Sequence, residues 1–139
     1  MPAKRTTVSK AMGIPKPGEY RRRDAEASDP DVLSMSALMG LVEAACVDAM
    51  SGRIRGDEYS IGRVTHFTQL APMPSDVPVF VTATFRMFDG ERYWFDVVAA
   101  DAAGPVASVS HARSIAERAA LEFQCESRRR CVGNIDSSC

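Results

Sequence analysis

Residues 32–50 read VLSMSALMGLVEAACVDAM, and the fold turns on this run. Leu38, Leu41, Val42, Ala45, Cys46 and Ala49 recur at i, i+3, i+4, i+7, i+8 and i+11, one continuous stripe of an α-helix. Almost everything else from Val32 to Met50 is apolar or small, and Glu43 and Asp48 are the only charges. A helix this apolar is expected to be buried on most sides, lying in the concave face of a sheet. Gly40 costs about 1 kcal/mol relative to alanine inside a helix, which suits close approach of something packed over the backbone. Ser34 and Ser36 suit the helix start as caps, and Ser51-Gly52 ends the helix.

Downstream, the period changes from helical to alternating. Tyr59 to Leu70, rich in β-branched and aromatic residues, reads as a strand, and the proline-rich Ala71 to Pro78 as a loop. In Val79 to Phe88, one face carries Val79, Val81, Ala83, Phe85 and Met87. Asp89-Gly90 signals a two-residue hairpin, Arg92 to Ala100 returns antiparallel, and Asp101 to Pro105 turns again. Val106 to Glu117 is the last strand, with Ala107, Val109, His111, Arg113 and Ile115 on one side. Upstream, Ser28-Asp29-Pro30-Asp31 forms a turn and Glu19 to Glu26 an edge strand. A strand, one long apolar helix and four more strands predict an α+β chain, a twisted antiparallel sheet wrapped around one central helix. That is the hotdog fold. The expected organisation is a flexible N-terminal arm at 1–17, the hotdog domain at 18–123 and a polar, flexible tail at 124–139.

Composition narrows the partners. Across 139 residues, 17 Lys+Arg oppose 18 Asp+Glu for a net charge of −1, so the basic stripe that tracks phosphates is missing and nucleic acid is not expected. The sequence shows neither a membrane-spanning run nor a secretory leader, which makes a cytoplasmic protein the expectation. Cys46, Cys125, Cys131 and Cys139 form no CxxC pair and find no His at zinc-finger spacing. Free thiols are therefore the favoured expectation over a tail disulfide or a tail metal site, with Cys46 as a small core hydrophobe and no cofactor expected.

The chemistry-bearing residues are few. Glu43 stands midway along the apolar helix, where a carboxylate is costly unless paired. It either salt-bridges an arginine such as Arg63 or Arg113, or faces a cleft and works with an imidazole as general base. Ser36 lies two helical turns before it on the same side, and the helix N-terminus offers free N–H groups to a carbonyl oxygen. His66 and His111, the only histidines, both fall on expected strands.

The stretch from Met39 to Met50 (MGLVEAACVDAM), with Ser60-Ile61-Gly62, Val64-Thr65-His66, the Asp89-Gly90 hairpin and Ser110-His111-Ala112-Arg113, resembles the fluoroacetyl-CoA thioesterase group of hotdog proteins. The resemblance runs from about Val32 to Phe123. It implies hydrolysis of a short acyl thioester by a Thr, Glu and His set at the edge of a homodimer interface. Glu and His carry over onto Glu43 and His66. The family's Thr falls on Met35, between Ser34 and Ser36, which leaves Ser36 as the catalytic hydroxyl and Met35, Ser34, Gly62 and Arg113 as substrate contacts. Gly62 to His66 is also three residues shorter than the family spacing, and an odd shift along a strand exchanges its faces unless a bulge absorbs it. The expected substrate is an acyl-CoA or acyl-carrier-protein thioester. The competing class is a hotdog protein that binds an acyl or polycyclic ligand without hydrolysing it.

Overall fold

The computed structural model describes residues 7–12, as backbone, and residues 32–134. The elements run β1 (Thr7–Met12), α1 (Met35–Met50), β2 (Glu58–Gln69), β3 (Val79–Phe88), β4 (Tyr93–Asp101), β5 (Gly104–Glu117) and α2 (Arg118–Gly133). The five described strands form one antiparallel sheet in the order β1-β3-β4-β5-β2, so β2 and β1 are its edges among the described residues. The expected strand at Glu19 to Glu26 and the turn at Ser28–Asp31 lie outside the described residues. Within the expected flexible arm, Thr7–Met12 is instead a strand paired along β3 from Thr84 to Val79.

α1 starts as the serines suggest. Ser34 is the N-cap, with extended backbone, and its Oγ accepts from the Ala37 N–H at 3.2 Å. Just before it, the Leu33 N–H donates to the Met73 carbonyl at 2.8 Å, which ties the helix entry to the loop after β2. At the other end Ser51 Oγ donates to the Asp48 carbonyl, and a 3-10 turn over Ser51–Arg53 closes the helix. Arg53 then reaches back to the Ala49 carbonyl while its guanidinium sits 4.4 Å above the Phe85 ring.

The predicted stripe is the buried one: Leu38, Leu41, Val42, Ala45, Cys46 and Ala49 are all buried, with Ala37 and Met50. They meet Val81, Ala83, Phe95, Val97, Ala99 and Val109 of the sheet in a single core. Small side chains on both sides let the helix lie close to the strands. The opposite stripe is open. Met35, Ser36, Gly40, Glu43 and Val47 are exposed, and nothing lies within 4 Å of a side chain added at Gly40, so the contact expected over that glycine is absent among the described residues. Met35–Arg53 has a mean hydropathy of 1.2, membrane-like by length and composition, and its apolar face is spent on the sheet.

Two turns differ from expectation. The tight one is Ala102-Ala103, flanked by the Asp101–Gly104 pair, with Gly104 at φ 135°. Asp89-Gly90 belongs instead to a four-residue loop between Phe88 and Tyr93. The Asp89 carboxylate accepts from the Glu91 and Arg92 N–H groups and from Trp94 Nε1. Those donors, the indole foremost, hold its pKa down to about 2.

The C-terminal tail is helical from Arg118 to Gly133, although none of its residues is buried. Alanine, leucine, glutamate and arginine are strong helix formers, and Glu126 pairs with Arg129 and Arg130 one turn on. Cys46 and Cys125 are free, whereas Cys131 is disulfide-bonded, which corrects the expectation of free thiols throughout.

Phe95 is fully buried and meets Phe85 edge-on at 5.8 Å. Phe95→Ala should therefore cost about 3–5 kcal/mol, read as a lowered urea midpoint. Phe123→Ala, on the exposed face of α2, should move that midpoint by less than about 0.5 kcal/mol.

Candidate active site

Three elements converge where α1 passes over the β2–β5 pair. β5 supplies His111 and Arg113 on its inner face, β2 supplies Ser60, Gly62 and Thr65, and α1 supplies Glu43. Arg113 is 3% exposed, a buried cation that must find acceptors. Its Nε donates to Ser60 Oγ at 3.0 Å and its Nη2 to the Ser60 carbonyl at 2.9 Å. Its Nη1 meets His111 Nε2 at 3.1 Å and stands 4.0 Å from Glu43 Oε1. His111 Nδ1 in turn lies 2.7 Å from Thr65 Oγ1. Gly62 makes room for this cluster: a Cβ there would sit 3.2 Å from Arg113 Nη1 and 3.5 Å from His111 Cε1.

Glu43 is the open member, with a side chain 60% exposed. At 4.0 Å the ion pair is longer than a hydrogen bond, so a third group has space to come between the two charges. Burial and then the Arg113 charge push the His111 pKa down, partly opposed by Glu43 and the Val64 backbone. Burial lowers the Arg113 pKa as well, against Glu43, yet a guanidinium stays charged in proteins. The Cys46 thiol, beneath Glu43, is pushed up to about 12 by burial, so it is an inert core group and no nucleophile. Among the described residues no three His, Cys, Asp or Glu side chains gather as metal ligands.

Residues 20–119 match the family described as fluoroacetyl-CoA-specific thioesterase. The chain belongs to that family. A fluoroacetyl-CoA thioesterase from Streptantibioticus cattleyicolor is 34% identical over 89 residues, which span 64% of each chain. A mutant of the fluoroacetyl-CoA-specific thioesterase, crystallised with fluoroacetate and CoA, is 28% identical, with 85% of this chain and 96% of that one covered and a TM-score of 0.70. A Thermus thermophilus thioesterase superfamily member shares 18% identity over 91% of this chain and 90% of its own, with a TM-score of 0.74, a likeness of fold. The hotdog expectation holds.

Against this family frame, the structure brings together part of the expected set. Glu43 and Arg113 are paired, as one of the two sequence readings had it, while Arg63 is exposed. His66 is not with them. The β2–β5 register shifts between Gly62 and Val64, so Arg63 is an extra residue and the strand changes parity. Ser60 and Gly62 face Arg113 before the bulge, and Thr65 and Phe67 face inward after it. His66 is thereby turned to the exposed outer face, and the imidazole beside Glu43 and Arg113 is His111. Adding back the three residues by which the family spacing is longer leads from His66 to Gln69. Its parity is that of Thr65 and Phe67, and its amide donates to the Ala71 carbonyl.

The hydroxyls also resolve. Ser34 is committed to capping Ala37, and Ser36 hydrogen-bonds Ser34 at 3.1 Å. Seven residues of helix put Ser36 about 10 Å along the axis from Glu43, and its hydroxyl is engaged at the helix start. Met35 is half exposed at the first position of α1. Sequence reasoning assigned no role to Ser60 or Thr65, since a serine and a threonine on a strand carry no signal until their partner is known.

The His111 shift has a stability consequence. The charged groups acting on its ring are Arg113 on its own strand and Glu43 from α1; β2 offers Thr65 and the Val64 backbone. With the folded pKa below the unfolded value, the unfolded chain binds more protons between the two. The stabilisation is complete above about pH 6.5 and is lost as the pH falls through the folded value. Urea midpoints should thus drop below pH 6.5 in the wild type. His111→Gln should flatten that slope.

Proposed function

We propose that the protein hydrolyses an acyl thioester, carried on CoA or on an acyl-carrier protein, with Glu43 as general base and Arg113 as the electrophilic partner. The observation that carries this reading is an open carboxylate held 4.0 Å from a buried, immobilised guanidinium. A guanidinium has five N–H groups, and the bonds to Ser60 and His111 use three of them. One hydrogen on each terminal nitrogen remains for another acceptor.

The chemistry follows from that arrangement. Water beside Glu43 gives its proton to the carboxylate as its oxygen attacks the thioester carbonyl carbon. The carbonyl oxygen becomes an oxyanion, which the free N–H groups of Arg113 stabilise. Collapse breaks the carbon–sulfur bond, and the departing thiolate recovers the proton from Glu43. Water as nucleophile makes a hydroxyl at position 35 unnecessary, which accommodates both Met35 and the commitment of Ser34 and Ser36 to the helix start. A homodimer is part of the proposal. It is supported by the edge of β2 that is unpaired among the described residues and by the exposed Met35 and Val47 on α1, Tyr59 on β2 and Leu70 just beyond it. Light scattering should give twice the 15.1 kDa chain mass.

Thiol release over a panel of acyl-CoAs tests the reading. Glu43→Gln should lower kcat by about 10²- to 10⁴-fold with binding retained. Met35 lines the approach with a flexible thioether, so acyl groups bulkier than acetyl should be preferred by about 0.8 kcal/mol per buried methylene. Met35→Thr should shift that preference toward smaller thioesters. Binding of acyl-CoA without thiol release would replace hydrolysis by the ligand-binding class, which the separation of Ser36 and His66 from Glu43 favours.

A further inference from the structure

We infer that His111 is a positioning residue of the proposed site: a neutral imidazole with its hydrogen on Nδ1, it accepts Arg113 Nη1 at Nε2, donates to Thr65 Oγ1, and so locks the guanidinium beside Glu43. This deepens the hydrolytic reading and rests on it for its catalytic consequence.

The argument is one of donors and acceptors. A guanidinium can only donate, so at 3.1 Å the Nε2 facing it must present a lone pair. A neutral ring then carries its hydrogen on Nδ1, and the Thr65 oxygen at 2.7 Å is the acceptor. A protonated ring would set an N–H against an N–H and one cation against another. Two apparent roles are thereby removed. Thr65 is no nucleophile activated by His111, because the ring nitrogen that faces it has no lone pair to take a proton. His111 is no acid or base toward substrate, because both its nitrogens are engaged and it is 4% exposed. What remains is orientation: Ser60 grips one side of Arg113 and His111 the other, and the free N–H groups are aimed by both.

Nitrogen NMR of the imidazole rings in the full-length protein, recorded without substrate, tests this directly, with His66 on the outer face as reference. The expected signature is a protonated Nδ1 and a bare Nε2 for His111. Thr65→Val, which removes the hydroxyl acceptor at nearly constant volume, should leave the Nε2 lone pair on Arg113 but loosen the ring, and lower kcat by about 10- to 100-fold with a smaller change in KM. Thr65→Ser should restore kcat. His111→Gln, whose amide oxygen can replace Nε2 as acceptor, should retain more turnover than His111→Ala. A hydrogen on Nε2 in the wild type overturns the inference, as does a Thr65→Val protein with unchanged kcat. The ring signature needs no substrate, so it decides the tautomer even if no acyl-CoA is hydrolysed. Conversely, an Nε2–H ring in an enzyme that Glu43→Gln inactivates would sink this inference and leave the hydrolytic reading standing.

Discussion

A guanidinium taken out of water between β2 and β5 is the constraint on which the site depends. Arg113 cannot shed its charge, so the surrounding chain must supply acceptors or lose the fold's integrity there. Ser60 answers with both its hydroxyl and its carbonyl, and His111 with a ring nitrogen. Gly62 answers by having no side chain where the cation and the imidazole need the space. Each of these lies on a paired strand, whose ladder holds it in place without help from a ligand. The guanidinium is preorganised as a result, and preorganised charge is what stabilises a developing oxyanion without reorganisation at the moment of reaction.

The helix makes the complementary contribution. One face of α1 is consumed by the sheet, and this fixes the helix's rotation about its axis. That rotation sends Glu43 to the open stripe beside Arg113 rather than into the core. The same rotation puts Cys46 underneath, where burial silences its thiol. A carboxylate with access to water and a cation without it are unequal partners. Their asymmetry is what allows one to handle protons while the other only holds charge.

The helix, four of the five strands of the sheet and the buried stripe were legible in the sequence, because periods of 3.6 and 2 follow from how side chains leave a helix and a strand. The strand at Thr7–Met12 was not, since its pairing with β3 rests on a partner some seventy residues away. The helix α2 was not legible either, for it buries none of its residues and rests on propensity and local ion pairs. Glu43 was found because a lone carboxylate in an apolar helix is a visible anomaly. Arg113 was named twice, as a partner for Glu43 and as a substrate contact. Ser60 and Thr65 were invisible as functional residues, being ordinary strand residues whose meaning comes from a partner some fifty positions away.

By itself, then, the sequence determined the central helix and the strands from β2 to β5, which stripe of α1 is buried and that Glu43 stands out, since these are matters of local period and of charge in an apolar setting. Tertiary structure alone decided which imidazole joins the site. A single extra residue at Arg63 reverses the parity of β2, which turns His66 outward and brings Thr65 in against His111. A period-2 pattern cannot announce such a bulge in advance, because the shift becomes defined only when the strand is paired with its neighbour.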